Sequence, residues 1–328
     1  MMFEGKTILV TGATGLIGYN LVCRLLREGV SKVYATGRSL NKLECTFETF
    51  KDAVALHLIV YDAAQSLPEE IKDVDYIFHA AGPMERDIVL NKPVDVILPN
   101  IIGTINCLEF LKKQESETGK KGRIVIFSSV TVYNNPTSED FVVTENDTNY
   151  AISLDAPTAC YSESKRMAEV IAKSYVKQYN IDAVIARFST VYGPTKNIPN
   201  TAFYEFIKKS ILGQDIIINN STIPRRDNIF IDDAIEGLIV VAQCGVIGES
   251  YNISSNGELG NFAAIDEIAQ VVAAVANTGS KVKHNEMKVT KRGGLKLDSN
   301  KLKELGWKCE TSLEKGIIKT ITPVSGIK

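Results

Sequence analysis

Tyr161 and Lys165 put a phenol and an ammonium four residues apart, in the sequence Tyr-Ser-Glu-Ser-Lys. On a helix, this spacing places both side chains on one face. A lysine cation beside a tyrosine favours the phenolate, so the pKa of the phenol is expected to fall from about 10 toward a range where the group exchanges a proton with an alcohol. The pair therefore predicts the proton-transfer half of a hydride-transfer reaction.

The spacing is not specific by itself, because Tyr192–Lys196 and Tyr204–Lys208 share it. An internal Gly-Pro dipeptide prevents the first of these from continuing a helix. The second is predicted to lie on a helix in a smaller second lobe, beyond the main sheet. Tyr161–Lys165, by contrast, begins the helix after the fifth strand, which ends in Phe127–Ser129. This order predicts that a serine hydroxyl, the phenol and the ammonium meet at the carboxyl ends of the strands, where such sheets bind ligands.

The elements that must hold this group begin at the N-terminus. Lys6–Val10 reads as a short buried strand, and it runs into Thr11–Gly18, which opens a helix pattern. Gly12 permits a tight turn, Gly15 lets the backbone approach a pyrophosphate, and Gly18 allows close helix packing. The glycine spacing differs from the Gly-x-Gly-x-x-Gly fingerprint, and a structural turn is the alternative. No Gly-Lys-Ser/Thr follows, so the loop is not that of an ATPase.

Strand and helix patterns alternate along the first part of the chain, which predicts an α/β fold with a Rossmann-type, doubly wound parallel sheet. The clearest helices are expected at 92–114 and 162–178. We expect a dinucleotide-binding domain at 1–188, rejoined by 226–254, and a substrate-binding lobe at 189–225 and 255–328. Residues 134–157 read as a long polar loop. Strands are predicted at 6–11, 32–36, 55–61, 74–79, 122–128 and 182–188, with a later helix at 232–241 and strand at 250–254.

Composition excludes several function classes. The 328 residues are 45% hydrophobic with a net charge of -2, and the basic residues are dispersed, which argues against nucleic-acid binding. We expect no apolar run of roughly 20 residues, no signal peptide, no membrane partner and a cytoplasmic location. The six cysteines are expected to be reduced and show no metal spacing. With three histidines, no metal site is predicted, and His79 is expected to be a packed residue rather than a base.

Together these motifs resemble the extended short-chain dehydrogenases/reductases, in particular their nucleotide-sugar epimerase and dehydratase group. The resemblance covers nearly the whole chain, and it is the order of the motifs that is specific. It implies that Tyr161 is the acid/base, that Lys165 holds the nicotinamide ribose and tunes the phenol, and that Ser129 hydrogen-bonds the reacting oxygen. The matching stretches are 11–18, 79–82, 100–104, 127–133, 161–165, 187–194, 226–233 and 305–307.

The resemblance also implies the cofactor contacts. Asp62 matches the residue that contacts adenine. At the end of the second strand, NAD-specific members carry an acidic residue, whereas this chain has Gly37 and Arg38. A 2'-phosphate could pair with Arg38, so NADP is favoured over NAD; an ordinary surface role for this arginine is the alternative. The full set of expected cofactor contacts is Gly12, Thr14, Gly15, Leu16, Ile17, Gly18, Arg38, Asp62, Ala63, Ala80, Ala81, Gly82, Tyr161 and Lys165.

For the substrate, Arg226 matches the arginine that grips a nucleotide diphosphate, and Arg292 matches a second one, because a guanidinium pairs bidentately with phosphate oxygens. Thr131 and Thr190 complete the expected substrate contacts. Dehydratases and decarboxylases of the group need a carboxylate where this chain has Thr131, so both reactions are disfavoured. Epimerisation at C3 and C5 is disfavoured as well, because that branch uses Cys and His as acid/base residues and this chain has only three histidines.

Two reactions at one carbinol remain, a 4-epimerase and an NADPH-dependent 4-ketoreductase, and the epimerase is placed first. Both use Ser129, Tyr161 and Lys165 in the same way. A binding protein that senses nucleotides without turnover is a third hypothesis, disfavoured because such regulators commonly lose the Tyr-Lys pair. The resemblance further implies a homodimer formed through the helices at 92–114 and 158–179.

Overall fold

A computed structural model describes residues 3–133, 139–147, 152–219, 222–285 and 290–325. The strands are β1 (Thr7–Thr11), β2 (Lys32–Gly37), β3 (Leu56–Val60), β4 (Tyr76–His79), β5 (Arg123–Ser129), β6 (Phe141–Val143), β7 (Asp182–Phe188), β8 (Thr190–Tyr192), β9 (Ile216–Ile218), β10 (Thr222–Phe230), β11 (Ser250–Ile253), β12 (Phe262–Ala264), β13 (Val282–His284) and β14 (Thr290–Leu297). The helices are α1 (Leu16–Arg27), α2 (Leu40–Thr46), α3 (Arg86–Asn91), α4 (Pro93–Thr118), α5 (Ala159–Tyr179), α6 (Ala202–Ile211), α7 (Ile231–Cys244), α8 (Ile265–Ala276), α9 (Asn300–Lys303) and α10 (Leu313–Ser325).

The chain divides into two compact units. The first comprises residues 1–132, 152–187 and 238–251, and the second comprises 133–151, 188–237 and 252–328. The stretch 226–254, expected to belong to the first domain, is thus divided: α7 starts in the second unit and ends in the first. The binding roles expected for the two domains stay predictions.

A seven-stranded sheet in the order β11-β7-β5-β4-β1-β2-β3 forms the centre of the first unit. The pairs from β5 across β4, β1 and β2 to β3 are parallel. Strands such as β1 and β5 are buried along almost their whole length, as expected where helices cover both faces of a parallel sheet. The mostly parallel α/β sheet predicted from the sequence is therefore confirmed.

Each of the six predicted sheet strands is present within two residues of its expected bounds, and the later helix and strand are present as α7 and β11. Of the three Tyr-Lys spacings, Tyr161–Lys165 lies on α5 and Tyr204–Lys208 on α6, whereas Tyr192 lies on β8. The last result follows from the Gly-Pro dipeptide after Tyr192, because glycine is a poor helix former and proline removes a helical hydrogen bond and clashes with the preceding turn.

Helix α4 corrects one expectation, because its length and apolar composition would suffice to span a membrane. About 44% of its apolar window is buried inside the protein, and the core helix of a soluble protein passes the same test. α4 packs along α5, and its buried face includes Val96, Cys107, Leu108 and Leu111. Packing in the core of the first unit accounts for the apolar sequence of this helix.

The second unit contains smaller sheets, in which two long strands, β10 and β14, pair with strands of three residues. β10 pairs antiparallel with β12 and parallel with β14 and β8, while β14 continues to β6 and β9 pairs with β13. β6 lies within 134–157, so the prediction of an unbroken loop there is wrong. Three residues form this strand, too few for a clear alternation in the sequence. Residues 134–138 and 148–151 of that stretch lie outside the described residues.

Candidate active site

The glycine loop joins β1 to α1, and close backbone contacts leave no room for side chains at two of its glycines. Gly12 has a φ of +65°, and a Cβ at this residue would lie 2.8 Å from the carbonyl oxygen of Ala80. A Cβ on Gly18 would lie within 2.9 Å of the loop backbone. Gly15 is the N-cap of α1, and no side chain caps this helix end among the described residues. The first N–H groups of α1 are therefore free of a side-chain cap, at the positive end of the helix dipole.

Thr11 and His79 form hydrogen bonds next to this loop, and neither side chain was predicted to have a role in the site. His79 Nε2 lies 3.2 Å from the carbonyl oxygen of Pro99, so this nitrogen must carry the proton. Nδ1 then accepts the Thr11 hydroxyl at 2.9 Å, and Thr11 Oγ1 accepts the N–H of Ala81 at 3.1 Å. Burial lowers the pKa of His79 to about 3, so the ring is neutral. A neutral, buried ring agrees with the prediction that His79 is a packed residue rather than a base.

Ser129, Tyr161 and Lys165 meet where β5 ends and α5 begins. The Ser129 hydroxyl and the phenol of Tyr161 share a hydrogen bond. Lys165 Nζ lies 5.8 Å from the centre of the Tyr161 ring and donates to the carbonyl oxygen of Phe127 at 2.7 Å. Ser129 and Lys165 are both buried. The structure thus brings the three predicted catalytic side chains into one group.

The protonation equilibria of this group differ from the expected ones. Burial raises the pKa of Tyr161, and the hydrogen bond with Ser129 lowers it only in part. Burial also lowers the pKa of Lys165 to about 8, against the attraction of Glu169. The expected net fall of the phenol pKa is therefore wrong for the chain alone, because the loss of solvation outweighs the favourable contacts.

Asn100 is a further buried residue of this site, and it had no predicted role beyond its place in the matching stretch 100–104. Its amide nitrogen donates to the carbonyl oxygen of Val96 and to the Ser164 hydroxyl. Its Oδ1 is buried without a hydrogen-bond partner among the described residues. A Cβ on Gly82 would lie 2.4 Å from Oδ1 and 3.3 Å from Lys165 Nζ, so glycine keeps this space open.

The adenosine end of the expected cofactor site is solvent-accessible. Arg38 and Asp62 follow β2 and β3, and both side chains are exposed. Ala64 donates its N–H to Asp62, whereas Arg38 makes no ion pair or side-chain hydrogen bond within the described part of the chain. Ala63 is buried beside them. Because β1, β2 and β3 are parallel neighbours, these residues lie at the carboxyl ends of the strands, as the glycine loop does.

The expected substrate residues are distributed over both units. Thr131 follows Ser129 in the first unit and donates its N–H to Ser129 Oγ at 3.3 Å. In the second unit, Thr190 lies on β8 opposite Asn228 of β10. Arg226 is exposed on β10, and β14, which carries Arg292, is its parallel neighbour. The side chain of Arg292 lies outside the described part of the structure.

A glycine loop on the first strand of a mostly parallel sheet, together with a Ser-Tyr-Lys group beside the fifth, is the arrangement of the extended short-chain dehydrogenases/reductases, and the chain is an NAD-dependent enzyme of this class. Within the class it belongs to the NAD-dependent epimerase/dehydratase family, whose sequence model matches residues 8–254.

Relatives with assigned activities carry out more than one reaction. UDP-glucuronic acid decarboxylase 6 of Arabidopsis thaliana is 27% identical over 94% of this chain and 86% of its own length. The mouse dTDP-D-glucose 4,6-dehydratase is 26% identical over 96% of this chain and 88% of its own length.

Solved structures agree with the fold. The enzyme WbmF of Bordetella bronchiseptica, in complex with NAD+ and UDP, has a TM-score of 0.74 and 26% identity, covering 97% of this chain and 92% of its own. UDP-glucose 4-epimerase of Thermotoga maritima has a TM-score of 0.80 at 20% identity, covering 98% of this chain and 99% of its own.

The residues present fit a dinucleotide. The backbone approach at Gly12 and the end of α1 without a side-chain cap suit a pyrophosphate. Asn100 Oδ1, which has no hydrogen-bond partner among the described residues, and the ammonium of Lys165 lie next to Gly82, where polar groups of a ligand would find partners. Bound there, a nicotinamide would supply the hydride acceptor that the Ser-Tyr-Lys group lacks.

Proposed function

We propose that the protein is a nucleotide-sugar 4-epimerase. Tyr161 takes the proton of a sugar hydroxyl, Ser129 orients that oxygen, and Lys165 stabilises the phenolate during transfer. The hydride of the same carbon would pass to a bound nicotinamide and return to the other face of the resulting ketone, so the two sugar configurations would interconvert. The observation that carries the proposed proton transfer at a carbinol is the hydrogen bond of Tyr161 with Ser129, with Lys165 Nζ beside the phenol ring. The resemblance to 4-epimerases at Ser129 and Thr131 places epimerisation before reduction.

The residue after this group argues against elimination and decarboxylation. Thr131 has a hydroxyl where those reactions require a carboxylate, and its Oγ1 is buried without a partner among the described residues. A hydroxyl cannot serve as the base that elimination needs near neutral pH. The decarboxylase and dehydratase relatives therefore support the family and the nucleotide-sugar substrate class more than they support their own reactions for this chain.

Reduction of a 4-keto nucleotide sugar is the second candidate, favoured by Arg38. This arginine is exposed at the end of β2, where no carboxylate would repel a 2'-phosphate. NADP as the bound cofactor would suit a reductase, which exchanges its cofactor in every cycle. A sensing protein without turnover is disfavoured because Ser129, Tyr161 and Lys165 are all present.

Cofactor retention and product analysis separate these functions. The purified protein is denatured and the released dinucleotide is measured; it is then incubated with UDP-glucose, dTDP-glucose and UDP-glucuronic acid, and separately with NADPH and a 4-keto nucleotide sugar. Stoichiometric dinucleotide and a C4 epimer without net NADPH consumption support the epimerase. An empty protein that consumes NADPH with the 4-keto sugar supports the reductase, and CO2 release from UDP-glucuronic acid would contradict both.

We also propose that two copies assemble through α4 and α5. Val94 and Leu98 on α4, and Met167 and Val170 on α5, are apolar and exposed. Burying this face against its copy would form a four-helix bundle. Sedimentation at micromolar concentration should show a dimer for the wild type and a monomer for Val170→Asp. Val54→Asp, at an exposed valine before β3, should remain a dimer; a monomeric wild type would contradict the proposal.

A further inference from the structure

A buried ion pair lies one helical turn beyond Lys165. Glu169 of α5 and Arg187 of β7 are both almost completely buried. Arg187 Nε donates to Glu169 Oε1 at 2.9 Å and its terminal nitrogen donates to Oε2 at 2.6 Å, which is a bidentate pair. Nothing in the proposed proton transfer uses either side chain.

The pair is connected to the catalytic group from two directions. The Ser128 hydroxyl donates to Glu169 Oε1 at 2.5 Å, and Ser128 precedes the catalytic Ser129 on β5. Lys165 is four residues before Glu169 on α5, so the two side chains share a helix face, and Glu169 attracts its ammonium. Glu169, on α5, therefore contacts Ser128 of β5 and Arg187 of β7, one residue from Ser129 and one helical turn from Lys165.

Stability alone is a weak reason for such a pair. Removing two charges from water costs several kcal/mol per ion, and apolar residues of similar volume often give an equally stable or more stable protein. We propose that Glu169 and Arg187 are positioning residues of the catalytic centre: Glu169 holds Ser128 by a hydrogen bond and attracts the ammonium of Lys165, and Arg187 neutralises Glu169 so that one net positive charge remains beside Tyr161. This inference rests on the proposed roles of Tyr161 and Lys165.

The charges around Lys165 determine what each substitution must do. Lys165 faces Tyr161 and Glu169 on its own helix and the neutral His79 of β4, with Arg187 behind Glu169. Glu169→Gln leaves two cations together, whereas Arg187→Met leaves one cation and one carboxylate. The double variant leaves Lys165 as the single charge, so the net charge of the group is the same as in the wild type.

These charge counts predict shifts of opposite sign. Glu169→Gln should lower the pKa of Lys165 by about 1, and Arg187→Met should raise it by about 1, the size expected for a unit charge at this range in a protein interior. The double variant should lie close to the wild-type value of about 8. A purely structural pair would give no shift, or shifts of one sign.

The experiment is a pH titration of the full-length protein labelled with 13Cε-lysine and followed by NMR, in which the Lys165 signal is assigned by its loss in Lys165→Arg. The opposite shifts support the inference, and equal or absent shifts overturn it. If either single variant fails to fold, Arg187→Lys and the double variant decide: both should keep the Lys165 pKa within about 0.5 of the wild type, and a larger change overturns the inference.

A second ion pair, which joins β5 and β7, provides a control. Arg123 and Asp182 form an ion pair at 2.8 Å between the amino ends of β5 and β7, distant in sequence from Lys165. Asp182→Asn should leave the Lys165 titration unchanged, and an equal shift there would overturn the inference. Because the NMR readout needs no substrate, it stands even if the three nucleotide sugars give no turnover, an outcome that would contradict only the proposed function.

Discussion

The two units bury charged side chains in different ways. In the first unit, Lys165, Glu169 and Arg187 lie together, and they keep a cation beside the phenol of Tyr161. In the second unit, Asp227 accepts the Ser255 hydroxyl at 2.5 Å and the N–H of Leu297 at 3.2 Å, which ties strands and a turn together. Buried charge thus lies beside the proposed acid/base in the first unit and connects chain segments in the second.

This difference predicts separable consequences. Substitutions at the charged group of the first unit should change proton transfer in addition to stability, because each leaves a buried charge beside Tyr161 without its partner. Substitution of Asp227 in the second unit should change stability, because its hydrogen bonds with Ser255 and Leu297 connect separate chain segments.

Tyr161→Phe should give the largest effect, a hundredfold to ten-thousandfold loss of turnover, since this is the range for loss of an acid/base group. The free energy of unfolding should change by only about 1 kcal/mol, the value of one hydrogen bond. Turnover is measured with the nucleotide sugar that the wild type accepts, and stability by urea denaturation. Activity near that of the wild type would rule out the catalytic assignment.

Tyr204→Phe is the matched control, because Tyr204 also precedes a lysine by four residues on a helix. Its hydroxyl donates to the carbonyl oxygen of Gly193 at 2.7 Å within the second unit. Its loss should cost about 1 kcal/mol of stability and leave the turnover number within about threefold of the wild type. A hundredfold loss of turnover here would contradict the comparison between the units.

In the first unit, His79 should make the protein sensitive to acid. Its pKa is about 3 when folded, below the ordinary value of 6.5, so the unfolded chain binds the extra proton. Stability should therefore be lost as the pH falls from 6.5 toward 3, by up to about 4 kcal/mol from this residue. Urea denaturation across this range should show a flatter pH dependence for His79→Gln, and an unchanged slope would contradict the neutral, buried ring.

Asp227 in the second unit should act in the opposite direction. Burial raises its pKa to about 6 from an ordinary 3.8, so the folded protein binds the extra proton between these values. Its contribution to stability is present in full below about pH 4 and is lost as the pH rises through 6, by up to about 3 kcal/mol. Asp227→Asn should remove this component in denaturation measured at pH 4.5, 5.5 and 6.5. A steeper loss of stability with rising pH would contradict the assignment.

The same contrast explains what the sequence predicted. The strands of the first unit are apolar runs between helical patterns, and their register follows from parallel pairing, so they were found within two residues. In the second unit, strands such as β6 and β12 are three residues long, and no periodicity distinguishes them from loops.

The site was predictable where a residue belongs to a local motif. Ser129, Tyr161 and Lys165 come together as the helix spacing and the strand order require. The contacts of Thr11, His79 and Glu169 were missed because each depends on side chains distant in sequence. Only the spacing of four between Lys165 and Glu169 pointed to one of them. The direction of the Tyr161 pKa was wrong because burial, which outweighs the nearby cation, cannot be measured from a sequence.

Arg38 should give the smallest effect, on the discrimination between cofactors. Its exposed guanidinium follows β2 without an ion pair in the described part of the chain, so it is available to a 2'-phosphate. Arg38→Ala should weaken NADP binding by about tenfold, or about 1.4 kcal/mol, and change NAD binding by less than about twofold, because only NADP carries the phosphate. Binding of both dinucleotides is measured by titration calorimetry, with Arg27→Ala at the end of α1 as a control for general surface charge. Equal losses for NADP and NAD would show that Arg38 does not read the 2'-phosphate, and the preference for reduction over epimerisation that it carries would disappear with it.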